Sequence, residues 1–260
     1  MLNELANNYR ETGKFKQSEQ LYKKSLYMYE KILGTEHNEV ADTINNLGQL
    51  YNITGKYDEA KKCFEQSLEI YEKTVTLKHP DSAKVMNNLA VLYGKQNEFD
   101  ESLKLLNKAL EINKARLSNI HPDLANTICN IAIINFYKGK LEESEKLHQE
   151  ALKIRQQSLG EEHPDVAFSL NNIALIYSRQ GKIKEAEEIY TKIISFYQKA
   201  YGNEHLSLAT AMCNYAELCK ETGNFDKAKE LYNKAFEIYE KILEIDHPLI
   251  AMTKESMKNL

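Results

Sequence analysis

Six of the seven histidines stand at positions 37, 79, 121, 163, 205 and 247, a constant step of 42 residues. Imidazole is a frequent metal ligand, so a periodic set raises the question of metal binding. Distance argues against it. A Zn–N bond is about 2.0 Å long, while equivalent points on packed helices lie roughly 8–10 Å apart, so no two of these rings can share an ion. A loop and helix-capping role is expected instead. His148, the histidine out of step, is expected to be a packed imidazole. Cys213 and Cys219 are six residues apart, about 240° around a helix, so their thiols diverge. They and the other two cysteines are expected in the core, without a disulfide framework. There is no Gly-rich phosphate loop, no Gly-x-Ser-x-Gly elbow and no His-Glu-x-x-His. Glu185, Glu187 and Glu188 belong to a solvated helix face. No catalytic residue, metal site or cofactor is expected.

The chemistry that remains is carboxamide chemistry. Asn45-Asn46, Asn87-Asn88 and Asn171-Asn172 recur in register, and Cys129-Asn130 and Cys213-Asn214 keep the second member. Asn46, Asn88, Asn130, Asn172 and Asn214 thus form a ladder. A carboxamide has both donors and an acceptor, so it can pair with the N–H and C=O of an extended peptide whatever its sequence. The alternative is that one Asn of each pair bonds a neighbouring helix or loop. Three residues further on stand Gln49, Val91, Ile133, Leu175 and Glu217, polar at the ends and apolar in the centre. By helical offset Phe136 and Phe168 border them. Lys84, Lys95 and Arg179 are the nearby cations, opposed by Glu217 and Glu221. The expectation is a peptide whose backbone is read by Asn88, Asn130 and Asn172, with an apolar side chain near Val91, Ile133, Phe136, Phe168 and Leu175. Replacing the ladder amides should then leave the fold intact. The competing expectation makes Val91, Ile133 and Leu175 core.

The elements that position these residues follow from the same period. Pro follows the histidine at 80, 122, 164 and 248, Ala comes four residues after it in all six copies, and a Gly slot recurs at 13, 55, 139, 181 and 223, with Asn97 in its one gap. Ile44, Leu47, Gly48 and Tyr51 mark one helical face, and Tyr57, Ala60, Phe64, Leu68 and Tyr71 a second. Asn is the best substitute for Gly at positive φ, so the intervening slot reads as a left-handed helix C-cap. The second helix should run about 18 residues, or ~27 Å. It stops near Gly34, Gly160 or Gly202, with Thr76, Ser118 and Glu244 in the other copies. Pro suits the first helical turn, where its missing N–H is not needed.

With 10 Gly and 4 Pro in 260 residues, the composition excludes a loop-rich all-β or a Pro/Gly-rich disordered chain. The net charge is −4 with both signs interspersed, so no basic stripe for nucleic acid or a membrane surface is present. No apolar run approaches the roughly 20 residues of a membrane span. The start lacks the layout of a signal peptide. A cytoplasmic protein is expected.

Ile44-x2-Leu47-Gly48-x2-Tyr51 followed by Ala60-x3-Phe64 resembles the tetratricopeptide signature, without its Trp. The unit Leu159-Gly160-Glu161-Glu162-His163-Pro164-Asp165-Val166-Ala167, continued by Leu170-Asn171-Asn172-Ile173-Ala174-x2-Tyr177, is similar to the kinesin light chain type of that repeat. The resemblance covers the whole chain. It implies an all-α, right-handed α-solenoid over residues 1–260, as one repeat domain of six helix pairs and a closing helix at 248–260. It implies that first helices line a concave groove, and hence a non-catalytic scaffold or adaptor for a protein or extended peptide. A structural spacer, a self-assembling segment or the sensor module of a larger signalling ATPase is the alternative. Co-chaperone repeats of this superfamily clamp a terminal carboxylate, but Cys, Asn or Val stand at most of the matching slots, which disfavours that partner. The chain enters part-way through a first helix and closes on another, so it is expected to be a segment of a longer protein. Leu2-Leu5-Tyr9 and Ile250-Met257-Leu260 should leave apolar end faces that self-associate at high concentration or meet a flanking segment.

Overall fold

A computed structural model describes residues 2–75, 78–243, 245 and 247–260. Thr76 and Glu244, two occupants of the helix-stop slot, lie outside the described residues, as does Met1. The described residues form 13 helices and no strand. They divide into two units, Met1–Lys140 and Leu141–Leu260. In unit 1 the first helices of the repeats are α1 (Leu2–Glu11), α3 (Asn38–Ile53), α5 (Pro80–Lys95) and α7 (Pro122–Tyr137). Their second helices are α2 (Phe15–Leu33), α4 (Tyr57–Thr74) and α6 (Phe99–Arg116). Unit 2 begins with the second helix α8 (Leu141–Leu159). It continues with the pairs α9 (Pro164–Arg179) and α10 (Ile183–Tyr201), then α11 (Leu206–Glu221) and α12 (Phe225–Ile242), and closes with α13 (Pro248–Lys258). The architecture is an all-α solenoid of helix pairs, each helix packing on its sequence neighbours within its unit.

The periodic residues make the helix ends. In all six copies the histidine Nδ1 accepts the backbone N–H two residues on, at 3.1 to 3.3 Å. Each ring therefore satisfies one of the amides that a helix N-terminus leaves without a partner. Pro80, Pro122, Pro164 and Pro248 occupy the first turn of the helices they open. At the other end, Gly55 and Gly181 have φ of 77° and 75°, and Asn97 takes φ 62° in the same slot. The N–H of the following residue reaches back five positions, as Lys182 to the Tyr177 carbonyl at 2.9 Å, which closes a Schellman motif.

The second-helix stop has a finer rule than the sequence suggested. Helices α2, α8 and α10 run 19 residues, each ending at Gly34, Gly160 or Gly202 with φ of 83°, 87° and 77°. Helices α4, α6 and α12 have no Gly there and run 18 residues. Where only Gly holds the required φ/ψ, its absence ends the helix one residue sooner. In α6 and α12 that residue is Leu117 or Leu243, in extended conformation.

Close approach depends on small side chains. Ala41, Ala83 and Ala125 have no exposed surface. A Cβ on Gly48 would lie 2.7 Å from Phe64 Cε1. Ser18, Ser67 and Ser102 donate to the carbonyls of Ala6, Ala41 and Ala90 at 2.8 to 2.9 Å, pinning second helices to first. The core of unit 1 includes Tyr22, Leu50, Phe64, Tyr71 and Leu92, and that of unit 2 Tyr190, Ile193, Leu208, Tyr232 and Tyr239. His148 is buried in the slot that holds Phe64 and Tyr190 in other copies, and burial, with the Arg155 charge second, lowers its pKa to about 4. Cys129 and Cys219 are buried and Cys63 and Cys213 half-buried; burial raises the Cys63 thiol to about 11.

One expectation about the ends is corrected. Ile250 is only 3% exposed, and Met257 and Leu260 pack on the unit 2 core, because α13 seats this face against α12. The exposed apolar side chains near that end are Ile245 and Met252. At the other end Leu5 is 44% exposed, while Leu2 and Tyr9 are half-buried.

Candidate functional site

Each first helix leaves one stripe uncovered. In α5 the stripe holds Lys84, Asn88, Val91 and Lys95, spaced i, i+4, i+7 and i+11; in α9 it holds Phe168, Asn172, Leu175 and Arg179. Lys84, Lys95, Phe168 and Arg179 are exposed, and the other four are half-buried. Val91, Ile133 and Leu175 lie on this face, while their neighbours Leu92, Ile134 and Ile176 are core.

The Asn pairs do a job that divides their members. Asn88 Nδ2 donates to Asn45 Oδ1 of the preceding repeat at 2.9 Å, Asn130 to Asn87 at 3.2 Å, and Asn214 to Asn171 at 2.9 Å. The second Asn of one copy is thus held by the first Asn of the copy before. Asn45 and Asn87, expected in the groove, are instead only 7% and 9% exposed. The reason is rotational: one residue back along a helix turns the side chain about 100°, from the open stripe into the seam with the next repeat. Asn87 is further committed, donating to the Ala83 carbonyl and to Thr127 Oγ1, both at 2.9 Å. Asn171 is half-buried. Asn46 is half-buried and accepts from Gln49 Nε2 at 3.5 Å, a long contact. Asn172 is the exception in unit 2. Its Nδ2 is buried and has no partner among the described residues. In sequence, Cys129 stands where the first Asn of the preceding pair would be.

The cations are engaged. Lys84 lies 3.2 Å from Asp81 and 3.7 Å from Asp123. Lys95 donates to the Asn52 carbonyl at 3.2 Å, and desolvation lowers its pKa. Arg179 lies 3.7 Å from Glu221. Of the expected aromatics, Phe136 is half-buried edge-on to Tyr137 in unit 1, and Phe168 lies in unit 2 with the Arg155 guanidinium 5.5 Å from its ring centre. Val91, Ile133 and Phe136 therefore belong to one unit and Phe168 and Leu175 to the other. Sequence reasoning missed Tyr137, which is 65% exposed and stacks on Phe99 at 6.2 Å. The signal was available: Tyr137 fills the register slot of Lys95 and Arg179. It also missed that Asp42 and Thr210, on the same stripe, bond the second-helix hydroxyls of Tyr71 and Tyr239 at 2.6 and 3.1 Å. Among the described residues no group of three or more His, Cys, Asp or Glu is placed to hold a metal ion, and no helix is long and apolar enough to cross a membrane.

Stacked helix pairs with capped ends and one open stripe per first helix define a helical-repeat interaction protein. The chain belongs to the tetratricopeptide repeat family, whose model matches residues 1–73, 45–115, 123–199 and 185–241. Its repeat is of the kinesin light chain type. No curated protein matches it. Among solved structures it is similar to BtubC (BKLC) from P. vanneervenii, with a TM-score of 0.68 and 20% identity over 87% of this chain and 91% of that one. A Podosopora anserina protein of nearly identical TPR-like repeats, named for kinesin light chain, superposes with a TM-score of 0.60 and 25% identity over 79% of this chain and 98% of that one. A Rap protein complexed with Competence and Sporulation Factor gives 0.71 and 15% over 99% of this chain and 73% of that one. The repeats support a protein-interaction scaffold as the general role.

Proposed function

We propose that the chain is a non-catalytic scaffold whose first-helix stripes hold an extended peptide or protein segment, with the ladder amides reading its backbone. The observation that carries this is the rung geometry. Asn88, Asn130 and Asn214 each commit one N–H to the repeat before, which fixes the side chain. The second N–H and a carbonyl lone pair remain to meet a peptide group. Such preorganisation reduces the entropy lost when a ligand docks. In unit 1, Val91, Ile133 and Phe136 supply half-buried apolar surface beside the amides. In unit 2, the half-buried Asn172 and the exposed Phe168 stand at the corresponding positions of the stripe. The Rap protein's complex with Competence and Sporulation Factor shows that a molecule of this fold takes a partner.

The test uses a peptide selected on the wild-type chain from a random library, measured by calorimetry. Asn88→Ala alone would strand Asn45, so the double change N45A/N88A removes both partners of the bond. It and Ile133→Asp should each cost about five- to a hundredfold in affinity, with helicity kept by circular dichroism. Glu188→Ala, on an exposed second-helix position, should leave affinity unchanged. If both stripe variants bind like wild type and Glu188→Ala weakens binding, another surface carries the function.

A further inference from the structure

Two crevices in the molecule are the same crevice by register. In unit 1, between α5 and α6, a cavity of about 520 Å³ lies over Met86 and Ile112, with Lys78, Lys108, Ala115 and Arg116 around it. In unit 2, three repeats further on between α11 and α12, a cavity of about 250 Å³ lies over Met212 and Ile238, with Glu204, Lys234 and Lys241 around it. Met86 answers to Met212 and Ile112 to Ile238, while Ser82 stands where the buried Leu208 lines the unit 2 floor.

The rims differ in charge. In unit 2, Lys241 reaches Glu204 at 2.7 Å, both side chains standing at the solvent edge, and this ion pair, or strap, lies on the crevice wall. Lys234 is neutralised by Glu230 four residues before it. Lys73 and Glu36 make the same strap at 2.9 Å in another copy. In the unit 1 crevice, register puts Lys78 in place of Glu204, Ala115 in place of Lys241, and Lys104 in place of Glu230. Both neutralising acids have become lysines, and the strap lysine has lost its side chain. Glu111 is the one acid on the wall, against Lys78, Lys108 and Arg116.

An apolar floor of small-molecule size under a cationic rim selects a ligand with both characters. We propose that the α5–α6 crevice of unit 1 binds a small amphipathic anion, a carboxylate on an unbranched apolar body. The chain lies over Met86, Ile112 and Ala115, and the carboxylate meets Lys78, Lys108 and Arg116. This site is separate from the first-helix stripes and does not depend on the peptide-scaffold reading.

The 260-residue protein is titrated calorimetrically with octanoate, decanoate and dodecanoate, and with 1-decanol as the uncharged counterpart. At least one carboxylate should bind saturably at one site, and decanol should bind at least about tenfold more weakly than decanoate. The double change K78E/A115K rebuilds the unit 2 strap from two surface positions. It should reduce carboxylate affinity at least about tenfold while the circular dichroism melt stays in place. No saturable binding along the series overturns the proposal. So does binding that K78E/A115K leaves within about threefold of wild type, or decanol binding equal to decanoate.

Discussion

The α5–α6 crevice of unit 1 and the α11–α12 crevice of unit 2 come from one 42-residue pattern, yet the first is lined by Lys78, Lys108 and Arg116 against Glu111 alone, and in the second Lys241 pairs with Glu204 and Lys234 with Glu230. Their floors keep Met and Ile in matching slots, and Ala83 and Ala109 of unit 1 answer to Ala209 and Ala235 of unit 2, all buried. The rim changes, and beneath it Ser82 of unit 1 replaces the buried Leu208 of unit 2. The stripes vary at the surface too. Leu92 and Ile176 are buried in matching slots, while the exposed slot above them holds Lys95 in one copy and Arg179 in another. A buried position in a stacked repeat must fit both its own helix pair and the next, so a change there, as Ser82 for Leu208 or His148 for Phe64, has to be matched by the side chains around it. An exposed one answers only to solvent and ligand.

The largest expected difference between the units is in acid. His148 belongs to unit 2, and its slot in unit 1 holds Tyr22, Phe64 and Leu106, none of which takes up a proton in acid. Burial holds its pKa at about 4 in the folded chain against the usual 6.5, so the unfolded chain takes the proton first. Its contribution is therefore complete above the unfolded value and is lost as pH falls toward 4, by about 3 kcal/mol. His148→Phe should remove that loss; urea unfolding of both proteins at about pH 7 and about pH 4 measures it. An identical pH dependence in the variant would show that the buried imidazole does not set the difference.

Next come the rungs. Asn88→Ala strands the buried Asn45 Oδ1 and should cost about 1–3 kcal/mol. Asn172→Ala removes an N–H that has no partner and should stay within about 0.5 kcal/mol of wild type. Chemical denaturation ranks the two, and equal losses would mean that the unit 2 amide is held as firmly as the unit 1 amide. A smaller effect is expected at the unit 2 crevice. The double change E204K/K241A removes the strap and should raise the calorimetric stoichiometry for decanoate from one site to two, a gain of about 1.4 kcal/mol per tenfold in affinity at the new site. The smallest effect concerns the caps. Gly181→Val in unit 2 should cost a little over about 1 kcal/mol, for conformational reasons alone, since nothing lies within 4 Å of the added Cβ. Gly181→Asn should be milder, matching Asn97 of unit 1. Thermal melts that place Val at or above Asn would contradict the left-handed cap.

Much of the fold is legible from spacing because its causes are local. A histidine that accepts the N–H two residues on, a Pro in the first turn and a Gly or Asn at positive φ all act within one turn of chain. The faces too were readable: Leu92, Ile134 and Ile176 are core and Val91, Ile133 and Leu175 are not, as helical offset requires. The Asn pairs were legible only in part. Their recurrence marked a role, but adjacent identical residues carry no sign of which one turns into the seam. Replacing Asn88 or Asn130 carries a stability cost that the sequence did not announce, because each is the hydrogen-bond partner of a buried Asn.

By itself, then, the sequence determined the helix pairs, their caps, their length to within a residue and the identity of the open stripe. All of these depend on neighbours a few positions away. Only the tertiary structure decided what bonds form between residues one repeat apart. It showed that Asn45 and Asn87 are seam acceptors, that Lys84 and Arg179 are already paired, and that Lys241 pairs with Glu204 on the wall of a crevice where the matching residue of unit 1 is Ala115. Those contacts depend on how far one helix pair is rotated and shifted against the next. That placement is set by the summed packing of many side chains at the seam, which a 42-residue period repeats but does not spell out.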